Sequence, residues 1–159
     1  MKFLRILIIV LLFVFIGAQL AHNLTSINQD IGRHLKTGEI IWQTKSVPKT
    51  NLFSFTEPSA PFVNHHWLSE VVFFLLNGII GLKGLILFKA AVILAAFSVI
   101  FAALYKKTGL WPLIAASLVG MLIFERTDVR PEIFSYLFLA FFLFAIFRAK
   151  YGKKTKWLY

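Results

Sequence analysis

Five apolar stretches, Ile6–Ala21, Trp67–Leu82, Leu85–Tyr105, Leu110–Phe124 and Pro131–Phe147, fill most of this chain, and charged segments separate them. Of its 159 residues 58% are hydrophobic and 18 are Phe, against roughly 45–50% apolar in soluble domains. The mean hydropathy is +0.77. The pattern reads as an all-α integral membrane protein forming a single membrane domain over residues 1–159, with membrane lipid as its first partner. Cysteine is absent, which excludes disulfides, thiolate catalysis and thiolate metal sites. A net charge of +10 invites a nucleic-acid reading. The basic residues instead flank apolar spans and form no continuous patch interleaved with aromatics, so no nucleic-acid partner is expected.

Charge distribution sets the expected topology. Treating all five stretches as spans places Lys106 and Lys107 opposite Lys2 and Arg5, against the positive-inside rule. If Trp67–Leu82 lies in the outer interface, four spans remain, at about 6–24, 83–105, 109–125 and 131–149. The inner side then carries Lys2, Arg5, Lys106, Lys107, Arg148, Lys150, Lys153, Lys154 and Lys156, and no acid. All seven acids fall outside: Asp30, Glu39, Glu57, Glu70, Glu125, Asp128 and Glu132. The expectation is a multi-pass protein of the cytoplasmic (inner) membrane with both termini cytoplasmic. Its first extracytoplasmic loop, 25–82, is large and holds interfacial helices at about 30–43 and 66–80. The first stretch reads as an uncleaved anchor, because a cut after Ala21 has Gln19 three places back and one after Ala18 has Ile16.

The outer loop concentrates titratable and aromatic groups. Asn28 or Asp30 can cap a helix in which Ile31, Leu35, Gly38 and Trp42 share a stripe, opposite Arg33, Lys36 and Glu39. Such a helix lies flat on a membrane. Asp30 and His34 are i,i+4 neighbours and can touch; the plainer alternative is a capping Asp and an interfacial His. The following SVPKTNLFSFTEPSAPFVN, with prolines at 48, 58 and 61, is too proline-rich for helix and too aromatic for a free linker. An ordered extended segment packed over neighbouring helices is expected. From His66 onward His66, Glu70, Phe73 and Asn77 share one helix face. Asn64, His65, His66, Trp67 and Glu70 are expected to line an outer cavity with Asp30, or else to form a network that only fixes the loop.

The second outer loop, ERTDVRPE at 125–132, carries five charges in eight residues. It reads either as a solvated turn before a span begun by Pro131 or as part of a site. In the latter reading Asp128 or Glu125 shares a metal or proton with Asp30, and Arg126 and Arg130 hold phosphate. Lys89 lies on the order of 9 Å inside Lys83 at 1.5 Å per residue. It either snorkels outward or holds a lipid phosphate. The sequon Asn23-Leu24-Thr25 hugs the membrane and is discounted.

On these residues the chain resembles the bacterial C-type (GT-C fold) integral-membrane glycosyltransferases, which include the protein O-mannosyltransferases and the aminoarabinose lipid A transferases. The matching segments are DIGRHLKTGE, SVPKTNLFSFTEPSAPFVNHHWLSE, GLKGLILFKA and RPEIFSYLF, in that order along the chain. Each is weak alone; order and spacing carry the likeness. It implies sugar transfer from a polyprenyl-phosphate donor to an extracytoplasmic acceptor (an envelope glycan, lipid or protein). It implies Asp30 as central catalytic residue, Asp128 as the second-loop acid, and Lys89 or Arg130 at the donor phosphate. Many relatives carry an acid where His66 stands. They are also much longer, so the chain is expected to be the N-terminal part of such an enzyme.

The expected site therefore comprises Asp30, Asp128 and His34 as catalytic residues and Lys89, Arg126 and Arg130 at the donor phosphate, with Asn64, His65, His66, Trp67, Glu70 and Glu125 lining it. Mg²⁺ or Mn²⁺ on Asp30 and Asp128 is the expected cofactor if there is one. The rival expectation is a non-catalytic multi-pass fragment or scaffold of an envelope assembly. A third, a metal site of His34, His65 and His66, lacks any close-spaced ligand motif.

Overall fold

The computed structural model describes residues 2–21, 30–108, 111, 114–115 and 128–151. They form four helices: α1 (Lys2–Leu20), α2 (Ile31–Thr44), α3 (Trp67–Thr108) and α4 (Glu132–Tyr151). Among the described residues there is no strand, only an isolated antiparallel bridge between Thr50 and Pro61. Among the described residues three stretches are long and apolar enough to cross a membrane: Phe3–Leu20, Trp67–Leu104 and Glu132–Lys150. The expected span at 109–125 lies outside the described residues apart from Trp111, Ile114 and Ala115. Asn23 and the alternative cap Asn28 lie outside them as well.

The expected helix at 66–80 forms the first part of α3, which joins it to the helix over the next apolar stretch across a kink. The backbone leaves helical geometry at Gly81 (φ 66°, ψ −178°). That region is essentially reserved for glycine. Residues 67–80 rise only about 21 Å at 1.5 Å each, short of the roughly 30 Å hydrocarbon core. Residues 82–108 rise about 40 Å by the same rule, enough to cross unaided.

The chain divides into two compact units, Thr25–Leu85 and Met1–Leu24 with Ile86–Tyr159. In the first, α2 buries His34, Thr37, Gly38 and Ile41, the i, i+3, i+4, i+7 spacing of one helix face. This corrects the expected stripe of Ile31, Leu35, Gly38 and Trp42. Trp42 is exposed, with the Lys45 ammonium 3.7 Å from its ring centroid. The face is turned by Gly38: a Cβ there would overlap the Glu70 carbonyl and crowd the Phe74 Cβ. Only glycine lets the two backbones meet so closely. Lys45 ends α2 in the left-handed region (φ 54°), its N–H donating to the Ile41 carbonyl. The proline-rich segment that follows folds back as a short hairpin, with Asn51 N–H donating to the Ala60 carbonyl (3.0 Å) and Phe62 N–H to that of Lys49 (2.8 Å).

In the second unit α1 meets the later part of α3 through Phe13, whose ring lies 5.3 Å from Phe97 and 5.9 Å from Phe101. A Cβ on Gly17 would stand 3.3 Å from Leu94 Cδ1. The start of α4 meets α3 through Phe88 and Phe134, 6.2 Å between centroids. Buried alanines at 90, 96, 140 and 145 suit close helix packing of the kind membrane interfaces use. Elsewhere Phe3, Leu4, Ile6, Phe138, Phe141 and Phe142 are exposed. Leaving each such side chain in water costs roughly 1.5–3 kcal/mol, so lipid is the solvent these helices suit.

Candidate functional site

The Thr25–Leu85 unit encloses a polar network built on one carboxylate. Glu70 stands in the first turn of α3 and is 1% exposed. A carboxylate so buried needs a partner for each oxygen. Oε1 lies 2.9 Å from His34 Nδ1, and Oε2 accepts from Asn64 Nδ2 at 2.6 Å. His34 reaches it because it sits on the buried face of α2, one turn before Gly38. Asn64 is delivered by the hairpin's returning arm, and its own Oδ1 accepts from the His66 backbone N–H at 2.9 Å. The His66 carbonyl accepts from Ser69 Oγ (2.7 Å) and Glu70 N–H (3.0 Å), which starts the helix. His66 stands edge-on to His34, 6.3 Å between ring centroids, and His65 follows at 6.5 Å from His66. His65, His66 and Trp67 remain exposed.

Asp30 is outside this network. It occupies the position before α2, but its side chain makes no capping hydrogen bond. It pairs with Arg33 at 3.7 Å, with 53% of the Asp and 37% of the Arg side chain exposed. The anticipated Asp30–His34 contact is replaced by His34–Glu70, because His34 turns inward with the Gly38 face. Farther along α2, the Lys36 ammonium donates to Glu39 at 2.8 Å and holds that carboxyl below the usual carboxylate range. A shallow cleft between α2 and the hairpin is lined by Arg33, Thr37, Pro48, Asn51, Phe53 and Phe62.

The other unit holds the basic candidates. Lys89 is fully buried, so it does not snorkel. Its Nζ and the buried Nε of Arg130 meet no hydrogen-bond partner among the described residues. The Phe88–Phe134 contact brings Lys89's neighbour to the first turn of α4, which Arg130 precedes. Asp128, half-buried, acts electrostatically on Lys89. Glu125 and Arg126 lie outside the described residues. Among the described residues, no three His, Asp or Glu side chains stand together as a metal site.

Sequence reasoning missed two features. One is the His34–Glu70 pair, 36 residues apart; its only signal was His34 standing at helical spacing from Gly38 and Ile41. The other is the buried Asn77 Oδ1, which also lacks a hydrogen-bond partner among the described residues. Compared with known proteins, this chain matches no protein-family model, no curated protein and no solved structure.

Proposed function

We propose that this chain transfers a sugar from a polyprenyl-phosphate donor to an extracytoplasmic acceptor, as the N-terminal part of a C-type glycosyltransferase. The observation that carries the reading is the buried Lys89 ammonium, which has no hydrogen-bond partner among the described residues, with the Arg130 Nε similarly unsatisfied there. A buried cation without hydrogen-bond acceptors is costly even with a carboxylate such as Asp128 acting on it electrostatically, and an anionic headgroup supplies the missing acceptors. A lipid phosphate brings the charge on an apolar chain suited to the exposed Phe and Leu side chains of α4.

In the transfer step an acceptor hydroxyl attacks the anomeric carbon and the bond from that carbon to the phosphate oxygen breaks. The hydroxyl proton passes to Asp30, whose carboxylate is exposed and so open to an acceptor. The polyprenyl phosphate leaves with the bonding electrons, and Lys89 and Arg130 balance its charge. Asp30 and Asp128 each offer hard carboxylate oxygens of the kind Mg²⁺ or Mn²⁺ takes, and such an ion would supply further positive charge when bound. No step above depends on it.

The reading includes four spans in the cytoplasmic membrane, both termini cytoplasmic, and the 25–82 loop extracytoplasmic. Because native cysteine is absent, single cysteines report this directly. Labels at 57, 83 and 128 should react from outside, and those at 107 and 154 from inside. Inside labelling at 57 or 128 sinks the topology.

The decisive test is binding of a polyprenyl phosphate to the protein in lipid nanodiscs, followed by native mass spectrometry, with the neutral polyprenol as control. Selective retention of the phosphate, lost in Lys89→Met, is expected. Transfer from a panel of polyprenyl-phosphate sugars should fall ~10²–10⁴-fold in Asp30→Asn. Equal retention of phosphate and alcohol overturns the reading and leaves a membrane scaffold.

A further inference from the structure

The hairpin between α2 and α3 ends in a tip whose apolar side chains are only partly covered by the cleft against α2, and at Phe55 not covered at all. Leu52 and Phe53 leave nearly half their surface open, and Phe55 leaves all of it open (104%). The polar atoms of the same tip are turned onto one another. Phe53 N–H donates to Asn51 Oδ1 (3.4 Å), Glu57 N–H to Ser54 Oγ (3.0 Å) and Ala60 N–H to the Glu57 carbonyl (3.2 Å). Ser54 Oγ and Thr56 Oγ1 share a further bond at 3.3 Å. These bonds satisfy part of the tip's backbone internally, which lowers the cost of moving it from water toward lipid.

Charge at the base of the hairpin fits the same surroundings. Lys45 and Lys49 are exposed there, and Glu57 is the one acid between positions 45 and 63. Lys45 sits over the exposed Trp42 ring, pairing a cation with an aromatic as headgroup-level anchors do. The unit is also joined at each end to an apolar helix, α1 before it and the later part of α3 after it. A bilayer is therefore its permanent neighbour.

We propose that the hairpin tip, residues 52–55, inserts into the headgroup boundary of a bilayer, with Lys45 and Lys49 drawing it to anionic lipid. Phe55 is the principal anchor. This goes beyond the sugar-transfer reading and does not depend on it, since it requires only a lipid surface.

The test places an environment-sensitive fluorophore on a single cysteine at Ser54, and separately at Phe55, in the otherwise cysteine-free protein. The protein is reconstituted into phosphatidylcholine vesicles with and without phosphatidylglycerol. Expected are blue-shifted emission, quenching by bromine-labelled acyl chains and protection from aqueous iodide, all stronger with phosphatidylglycerol. A label at Ser59, past the polar turn, should stay more open to iodide. Phe55→Ser should weaken the bromine quenching of the label at 54. Iodide quenching as strong at 54 and 55 as at 59 overturns the proposal by placing the tip in water. Protection from both quenchers overturns it equally, because a protein surface then covers the tip.

Discussion

Nδ1 of His34 lies 2.9 Å from Oε1 of Glu70, the two side chains being 3% and 1% exposed. Their bond ties the second turn's worth of α2 to the first turn of α3 across a separation of 36 residues. Asn64 closes the other carboxylate oxygen, so helix, hairpin and helix meet on one acidic side chain. Buried networks of this kind fix a single arrangement only when every member is satisfied.

Glu70→Ala leaves two buried donors without an acceptor and should destabilise the Thr25–Leu85 unit by about 3 kcal/mol. Glu70→Gln should cost only about 1 kcal/mol. Its amide oxygen can accept from Asn64 while its NH₂ donates to His34, provided the imidazole moves its proton to Nε2. Amide hydrogen exchange of α2 measures the stability and ¹⁵N shifts of His34 report the tautomer. Equal losses for Ala and Gln contradict this account.

Gly38→Ala should loosen α2 from α3 by about 1–3 kcal/mol, the usual cost of overpacking, because the methyl meets the Glu70 carbonyl. Gly32 has nothing within 4 Å of such a methyl, so Gly32→Ala should stabilise α2 by up to about 1 kcal/mol through helix propensity. Opposite signs for the two changes, read by exchange protection in α2, are the expected outcome.

Gly81 should resist substitution for a different reason. No atom crowds it, but its φ of 66° is strained for any side chain. Gly81→Ala should cost about 1–3 kcal/mol, while Gly78→Ala, also uncrowded and within the helix, should be neutral or stabilising. Thermal unfolding of the two variants in the same detergent separates conformational strain from packing.

Lys89→Met should be neutral or raise stability by up to about 4 kcal/mol, since a thioether chain replaces a buried cation that has no hydrogen-bond partner among the described residues. The same change is expected to abolish polyprenyl-phosphate retention. A variant that unfolds more easily than the parent would show that Asp128 already compensates the Lys89 charge.

Asp30→Asn should leave stability within ~0.5 kcal/mol of the parent, because its contact with Arg33 is exposed and long and it makes no capping bond. Lost transfer in that variant then reports chemistry and not unfolding. Melting curves beside transfer rates provide the check.

Much of the helical framework was legible because membrane helices declare themselves by length and apolarity. α1 and α4 fall within a few residues of the expected spans, and α2 was placed to within one residue at either end. Grouping Asn64, His66 and Glu70 followed from the polar stripe opening α3. The inward face of α2 was not legible: Ile31, Leu35 and Trp42 outrank His34 and Thr37 in hydrophobicity, so periodicity favoured the wrong stripe. The hairpin was likewise hidden, since its bonds join positions such as Lys49 and Phe62 that no local pattern relates.

The sequence by itself determined that this is a helical chain suited to lipid, roughly where its described apolar helices lie, and that charge gathers between its apolar stretches. Those properties are sums over neighbouring residues, and neighbours in sequence suffice to compute them. Only the tertiary structure decided that His34 answers to Glu70 and not to Asp30, that Lys89 is buried instead of reaching water, and that Phe55 is left uncovered. Each depends on which surface meets which. In the first case a missing side chain at Gly38 settled it, by allowing two backbones to come closer than any Cβ permits.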